Sequence, residues 1–170
     1  TVESSPGQTL PSVVMFGMEK VGRTVADALE SFHIEYDAIE RDFDIFTAAS
    51  VDGYSVMFGD LGDYRLSETI SMSERRVIAI TDVRFDVSSD LTPIVNARFP
   101  HLTRLVCVSN EQEGRRYQEL GMESVVDDKE HPGEPMALRV LACHQIEKAK
   151  TDEWLTQRHE SSGVATSNEA

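Results

Sequence analysis

Short apolar runs alternate with segments of helical periodicity from Ser12 to Val126. Residues 12–16 (SVVMF) are almost continuously apolar and stop at Gly17, the pattern of a strand buried on both faces. Residues 20–32 follow with Val21, Val25, Ala28, Leu29 and Phe32 at the helical period of about 3.6 residues. The alternation then repeats. Strands are predicted at 35–39, 55–58, 76–81, 104–108 and 124–126, with helices at 43–51, 64–70, 87–99 (around Pro93) and 111–120, the last closed by Gly121. Strands spaced by helices demand parallel, right-handed crossovers. The expected fold is therefore α/β: a doubly wound, Rossmann-type parallel sheet of about six strands. Ligands of such sheets bind at the carboxyl ends of the strands, where the strand order reverses.

Composition changes after Val126. Residues 127–135 (DDKEHPGEP) read as a charged linker, and 136–155 as one long C-terminal amphipathic helix bearing Leu138, Leu141, Ala142, Ile146 and Ala149 along one side. That helix either packs on its own sheet or reaches a second copy. Residues 159–170 are small and polar and read as a disordered tail. The expected division is a flexible linker over 1–11, the Rossmann-type domain over 12–126, a linker and helix over 127–158, and the tail.

The net charge of −14, from 30 acidic and 16 basic residues, sets the surface against phosphate backbones, so nucleic acid is not an expected partner. No apolar run approaches the roughly 18 to 20 residues that cross a bilayer, and no charged-then-apolar leader marks the chain for export. A chain that begins at Thr1 rather than Met is expected to be a piece of a longer polypeptide. Cys107 and Cys143 show no metal or redox spacing and read as buried thiols in a reducing compartment. The five histidines include no pair at helical metal-binding spacing, so no metal site is expected.

The turn after the first strand carries the candidate chemistry. Phe16-Gly17-Met18-Glu19-Lys20-Val21-Gly22 stands where a Rossmann domain places G-x-G-x-x-G. Gly17 would allow the tight turn and Gly22 the close packing of helix on sheet. The middle glycine, which lets backbone approach a pyrophosphate, is Glu19 here. Its carboxylate either swings aside from a bound nucleotide or satisfies the helix N-terminus itself, leaving a degenerate site. Glu40 ends the second strand, 18 residues beyond Gly22, where an acidic side chain hydrogen-bonds the ribose hydroxyls of an adenosine. A carboxylate there favours NAD, NADH or AMP over NADP, with Arg41 alongside. Gly59-Asp60 ends the third strand, within reach of an adenine amino group or as a plain turn. Thr81-Asp82 ends the fourth, facing phosphates or capping the next helix.

Together these residues resemble the regulatory domains of potassium transport known as RCK or TrkA N-terminal domains, above all the form attached to Kef-type potassium/proton antiporters. The family loop G-x-G-K/R-V-G-R/Q is matched by Gly17-Met18-Glu19-Lys20-Val21-Gly22-Arg23. Its acidic-basic-Asp strand end is matched by Ile39-Glu40-Arg41-Asp42, and its third strand by Gly53-Tyr54-Ser55-Val56 and Phe58-Gly59-Asp60. Tyr117–Gly121 followed by Met122–Val126 matches the turn before the last strand. The departures are Glu19 and the segment Val106-Cys107-Val108-Ser109-Asn110, where the family often carries an Arg. The resemblance implies a cytoplasmic regulatory domain at the inner face of a membrane. It would bind AMP or NAD(H) as a regulatory ligand, form a homodimer, and act on a membrane-embedded transporter domain, in the same parent polypeptide or a separate one.

Two other functions are open to such a chain. A degenerate Rossmann module that only dimerises would tolerate Glu19. A small NAD-dependent oxidoreductase would need a substrate domain and an acid/base group against the nicotinamide. Only a linker and a helix follow the last strand, and Tyr117 has no Lys four residues on, so catalysis is not expected.

Overall fold

A computed structural model describes residues 9–63 and 65–167. It contains a six-stranded, wholly parallel sheet of order β3-β2-β1-β4-β5-β6. The strands are β1 (Val13–Phe16), β2 (Tyr36–Glu40), β3 (Val56–Phe58), β4 (Val77–Ile80), β5 (Thr103–Val108) and β6 (Glu123–Val126). Between them run α1 (Lys20–Ser31), α2 (Phe43–Val51), α3 (Leu66–Thr69), α4 (Phe85–Arg98) and α5 (Glu111–Gln118). The chain ends in α6 (Glu134–Cys143) and α7 (Lys148–Ser167).

Side chains of the central strands alternate between two cores, which is why those strands read as unbroken apolar runs. Val13, Met15, Ala38, Ala79, Leu105 and Cys107 face α1 and α6, packing on Val25, Leu29, Met136 and Leu141. Val14, Phe16, Ile39, Ile78, Ile80, Val106 and Val108 face the other way, onto Tyr117, Met122, Ile70 and Met72. Two of the helices carry side-chain caps at their N-termini. Asp42 accepts hydrogen bonds from Asp44 N and Ile45 N at the start of α2, and Asn110 accepts from Glu113 N at the start of α5. Arg104 is buried on β5, where it donates to Thr92 Oγ1, Asn96 Oδ1 and the Leu120 carbonyl, and burial lowers its pKa.

The C-terminal region departs from expectation in two ways. The single helix expected over 136–155 is two helices, separated where Gln145 takes a left-handed conformation at φ 60°. α6 packs on its own domain, with Met136, Ala137, Val140 and Leu141 fully buried against α1 and the sheet. α7 then lies on α6 through Thr151 and Trp154. The tail expected from residue 159 is helical through Ser167. Residues 1–8 of the expected linker, the Tyr64 start of the third predicted helix, and 168–170 lie outside the described residues. Among the described residues, no helix is long and apolar enough to cross a membrane.

Candidate functional site

Strand order reverses between β1 and β4, and at that seam the carboxyl ends open onto a cavity of about 760 Å3. This lies within the roughly 300–1,000 Å3 range of small-molecule sites. Nine of the twelve residues expected from sequence line it: Gly17, Glu19, Lys20 and Val21 from the first loop, Glu40 and Arg41 from β2, Asp60 after β3, and Thr81 and Asp82 after β4. Asp42 and Ile45 also line it. In the sequence Asp42 stands only as the last residue of the Ile39-Glu40-Arg41-Asp42 strand end; the structure shows that it also caps α2.

Met18, Gly22 and Gly59 do not line the cavity. The Met18 side chain is fully buried. Gly22 lies under the loop, where a Cβ would stand 2.0 Å from the Gly17 carbonyl oxygen. Gly17 has φ +106°, and a Cβ there would meet Thr81 Oγ1 at 2.4 Å and Asp82 N at 2.8 Å. The outer glycines therefore have the roles the loop requires: left-handed backbone at the turn, and helix packed hard on it. The Thr81 hydroxyl ties the seam together, 3.0 Å from both the Phe16 and Gly17 carbonyl oxygens.

Glu19 sits at the N-cap of α1, exposed, and its side chain makes no capping hydrogen bond. The reading in which it satisfies the helix end itself is thereby corrected. By helix geometry the N–H groups of Lys20, Val21 and Gly22 have no intrahelical acceptor, which leaves an anion-binding end facing the cavity.

Glu40 is only 3% exposed, and both its oxygens are engaged: Oε2 accepts from Met18 N at 2.7 Å and Oε1 from Asp42 N at 2.9 Å. It braces the loop as well as lining the cavity. Each oxygen keeps a second lone pair with which a ribose hydroxyl could bond. Arg41 reaches across the seam to Asp82, at 2.5 Å, and this contact raises its pKa. Asp60 is bound by Arg84 and by Gly62 N, and the Arg84 contact above all lowers its pKa. The lining thus holds five carboxylates (Glu19, Glu40, Asp42, Asp60, Asp82) against two cations (Lys20, Arg41).

The glycine turn and the open end of α1 can meet a phosphate, and the strand-end carboxylate can accept from a hydroxyl. The acidic lining opposes further phosphate charge.

A doubly wound parallel sheet with its cavity at the reversal defines a Rossmann-type domain. Residues 13–128 match the TrkA-N domain family, and the chain belongs to it. No curated protein matches the chain. Among solved structures it is similar to the TrkA-N domain of the inner membrane protein ybaL from Escherichia coli, at 15% identity and a TM-score of 0.59, over 81% of this chain and 97% of that one. It is similar to the Shewanella denitrificans Kef CTD in AMP-bound form, at 14% identity and a TM-score of 0.58, over 89% and 94%. It also resembles a GsuK channel bound to NAD, at 17% identity and a TM-score of 0.59, over 71% of this chain and 22% of that one.

Proposed function

We propose that this chain is a regulatory domain that binds an adenine nucleotide, AMP or NAD(H), at the seam between β1 and β4, and passes its occupancy to a potassium or cation transporter. The observation that carries the proposal is the seam itself. Gly17 and Gly22 are spaced so that no side chain could replace them, and the end of α1 and the Glu40 carboxylate converge on one cavity. Solved structures of the same fold include an AMP-bound Kef CTD and an NAD-bound GsuK channel, which supports this ligand class. The ligand acts by stabilising one arrangement of the loop, Arg41 and Asp82 over another, and can shift the transporter only as far as its affinities for the two differ. In this reading the role of the ligand is regulatory rather than catalytic. The domain works as a homodimer on the cytoplasmic side of the membrane that holds the transporter.

Isothermal titration with AMP, ADP, ATP, NAD and NADH tests the proposal. Micromolar binding of AMP or NAD(H) is expected. A second reading, a ligand-free dimerisation module, draws on the excess of acidic side chains and on Glu40 being already engaged. Failure of every nucleotide to bind would leave that reading in place.

A further inference from the structure

Three residues that do not line the cavity meet beside α1: His131 in the loop after β6, Glu134 three residues on at the start of α6, and His159 on α7. His159 Nε2 lies 2.6 and 3.0 Å from the two Glu134 oxygens, and His131 Nδ1 lies 3.9 Å from Oε2. The imidazoles stack with centroids 4.4 Å apart and planes 22° from parallel. One ligand atom from each residue lies within 4.8 Å of the other two. We propose that His131, Glu134 and His159 form a site for a divalent transition-metal ion, zinc being the best fit.

Two imidazole nitrogens and a carboxylate oxygen are a borderline donor set that suits zinc, whereas calcium and magnesium take oxygen ligands. Tetrahedral zinc with ligands at about 2.0–2.1 Å needs donor atoms roughly 3.3 Å apart. To aim both nitrogen lone pairs at one ion the two imidazoles must turn out of their stacked arrangement, a movement open to side chains that are 46% and 45% exposed. The open side leaves room for ion entry and for water as a fourth ligand. Glu134, by contrast, is 6% exposed and held in place. Ahead of it, Gly133 at φ +86° presses on α1, where a Cβ would come within 2.7 Å of Thr24 Cβ. Gly133 N donates to Asp127 Oδ1 at 2.8 Å, and the Thr24 hydroxyl lies 3.0 Å from the Pro132 carbonyl oxygen. A buried carboxylate needs a counter-charge. Arg158 Nε approaches Glu134 at 3.7 Å, while its NH1 lies 3.6 Å from Asp27, so Arg158 has a second carboxylate to turn to when a cation binds. Bound metal would pin α7 to the corner between β6 and α6.

The test uses the full chain, free of any affinity tag and stripped with chelator, with zinc ion alone as titrant and cobalt absorption as a probe of geometry. One zinc per chain is expected at micromolar affinity or tighter, with a raised unfolding midpoint and a tetrahedral cobalt spectrum. His131→Ala and His159→Gln should each weaken binding at least tenfold while leaving far-ultraviolet circular dichroism unchanged, and Cys143→Ala should have no effect. Absence of zinc binding, binding indifferent to both histidine substitutions, or binding lost with Cys143→Ala would overturn the proposal. No nucleotide is present, so the outcome is independent of the cavity's ligand.

Discussion

The buried carboxylate of Glu40, at the end of β2, accepts a 2.7 Å hydrogen bond from the backbone N–H of Met18, in the loop that leaves β1. One side chain thus sets the shape of the loop and lines the space the ligand would fill. Its substitution must be read on both counts. Glu40→Ala leaves the Met18 and Asp42 N–H groups without this acceptor, and an unsatisfied buried donor costs about 1–3 kcal/mol. Glu40→Gln keeps an acceptor oxygen and should lose less. Denaturant unfolding should rank wild type above Gln and Gln above Ala, and AMP or NAD affinity should fall at least tenfold in the Gln variant. Unchanged affinity in a folded Gln variant would make Glu40 a brace only.

Gly22→Ala probes the packing under the loop. A Cβ 2.0 Å from the Gly17 carbonyl oxygen forces α1 away from the turn. Overpacking of this kind costs about 1–3 kcal/mol. Gly53 has nothing within 4 Å of a Cβ, so Gly53→Ala pays only for its φ of +90°. Thermal unfolding should show both losses, but only Gly22→Ala should also abolish nucleotide binding. Full binding by Gly22→Ala would show that the ligand does not use this loop.

How much of this was legible in sequence depends on how local each signal is. The apolar runs at Val13–Phe16 and Val77–Ile80 gave strands because residues buried on both faces leave no polar alternation. The break between α6 and α7 left no such mark: Leu141, Ala142, Ile146 and Ala149 keep helical spacing through it, and the left-handed residue is Gln145 rather than glycine. Glu40 was legible by position but not by partner, since its bond to Met18 spans 22 residues. His131 and His159 lie 28 residues apart in different elements, so no spacing rule joins them, and the fold alone brings their rings together.

Cys107 gives a prediction in pH. Burial, aided by the nearby Asp127 and Glu113 carboxylates, pushes its thiol up to about 12. In the unfolded chain it titrates at about 8.5. The folded state therefore holds the proton more tightly, and this contribution to stability is complete below about pH 8 and is lost as pH rises toward 12. The limiting slope for one group is about 1.4 kcal/mol per pH unit. Tyr54, also pushed up to about 12, chiefly by burial, adds to the fall only above about pH 10, where tyrosine ordinarily titrates. Between pH 8 and 10, unfolding free energy should decline less steeply in Cys107→Ala than in wild type. Equal slopes would mean the thiol is accessible in the folded state.

Self-association is expected at micromolar concentration, and with α6 packed on its own domain the apolar surface left for it is elsewhere. Phe43 on α2 and Phe58 on edge strand β3 are 63% and 58% exposed, in edge-to-face contact at 5.8 Å, with Phe46 completing the cluster. Sedimentation at several loadings should show a dimer that Phe58→Asp shifts toward monomer. A wild-type monomer across the range would remove dimerisation from the proposed function, and a dimer indifferent to Phe58→Asp would place the interface on another face.

Glu19 gives the sharpest prediction, because its position is now fixed and its side chain has no capping role to lose. It stands at the end of α1 on the rim of the cavity, where a phosphate would meet free N–H groups. Like charges a few ångströms apart near a surface cost a few kcal/mol at an effective dielectric of about 20. Wild type should therefore prefer AMP to ADP and ATP. Glu19→Gly restores the glycine that lets backbone approach a pyrophosphate and should tighten NAD binding by roughly ten- to a hundredfold, at about 1.4 kcal/mol per factor of ten. Glycine is itself an acceptable N-cap, so the change in stability should stay within a few tenths of a kcal/mol. Raising the salt concentration should narrow the gap between wild type and variant, since screening weakens an exposed repulsion. Equal NAD affinities at low salt would show that the ligand's phosphates do not come near this side chain.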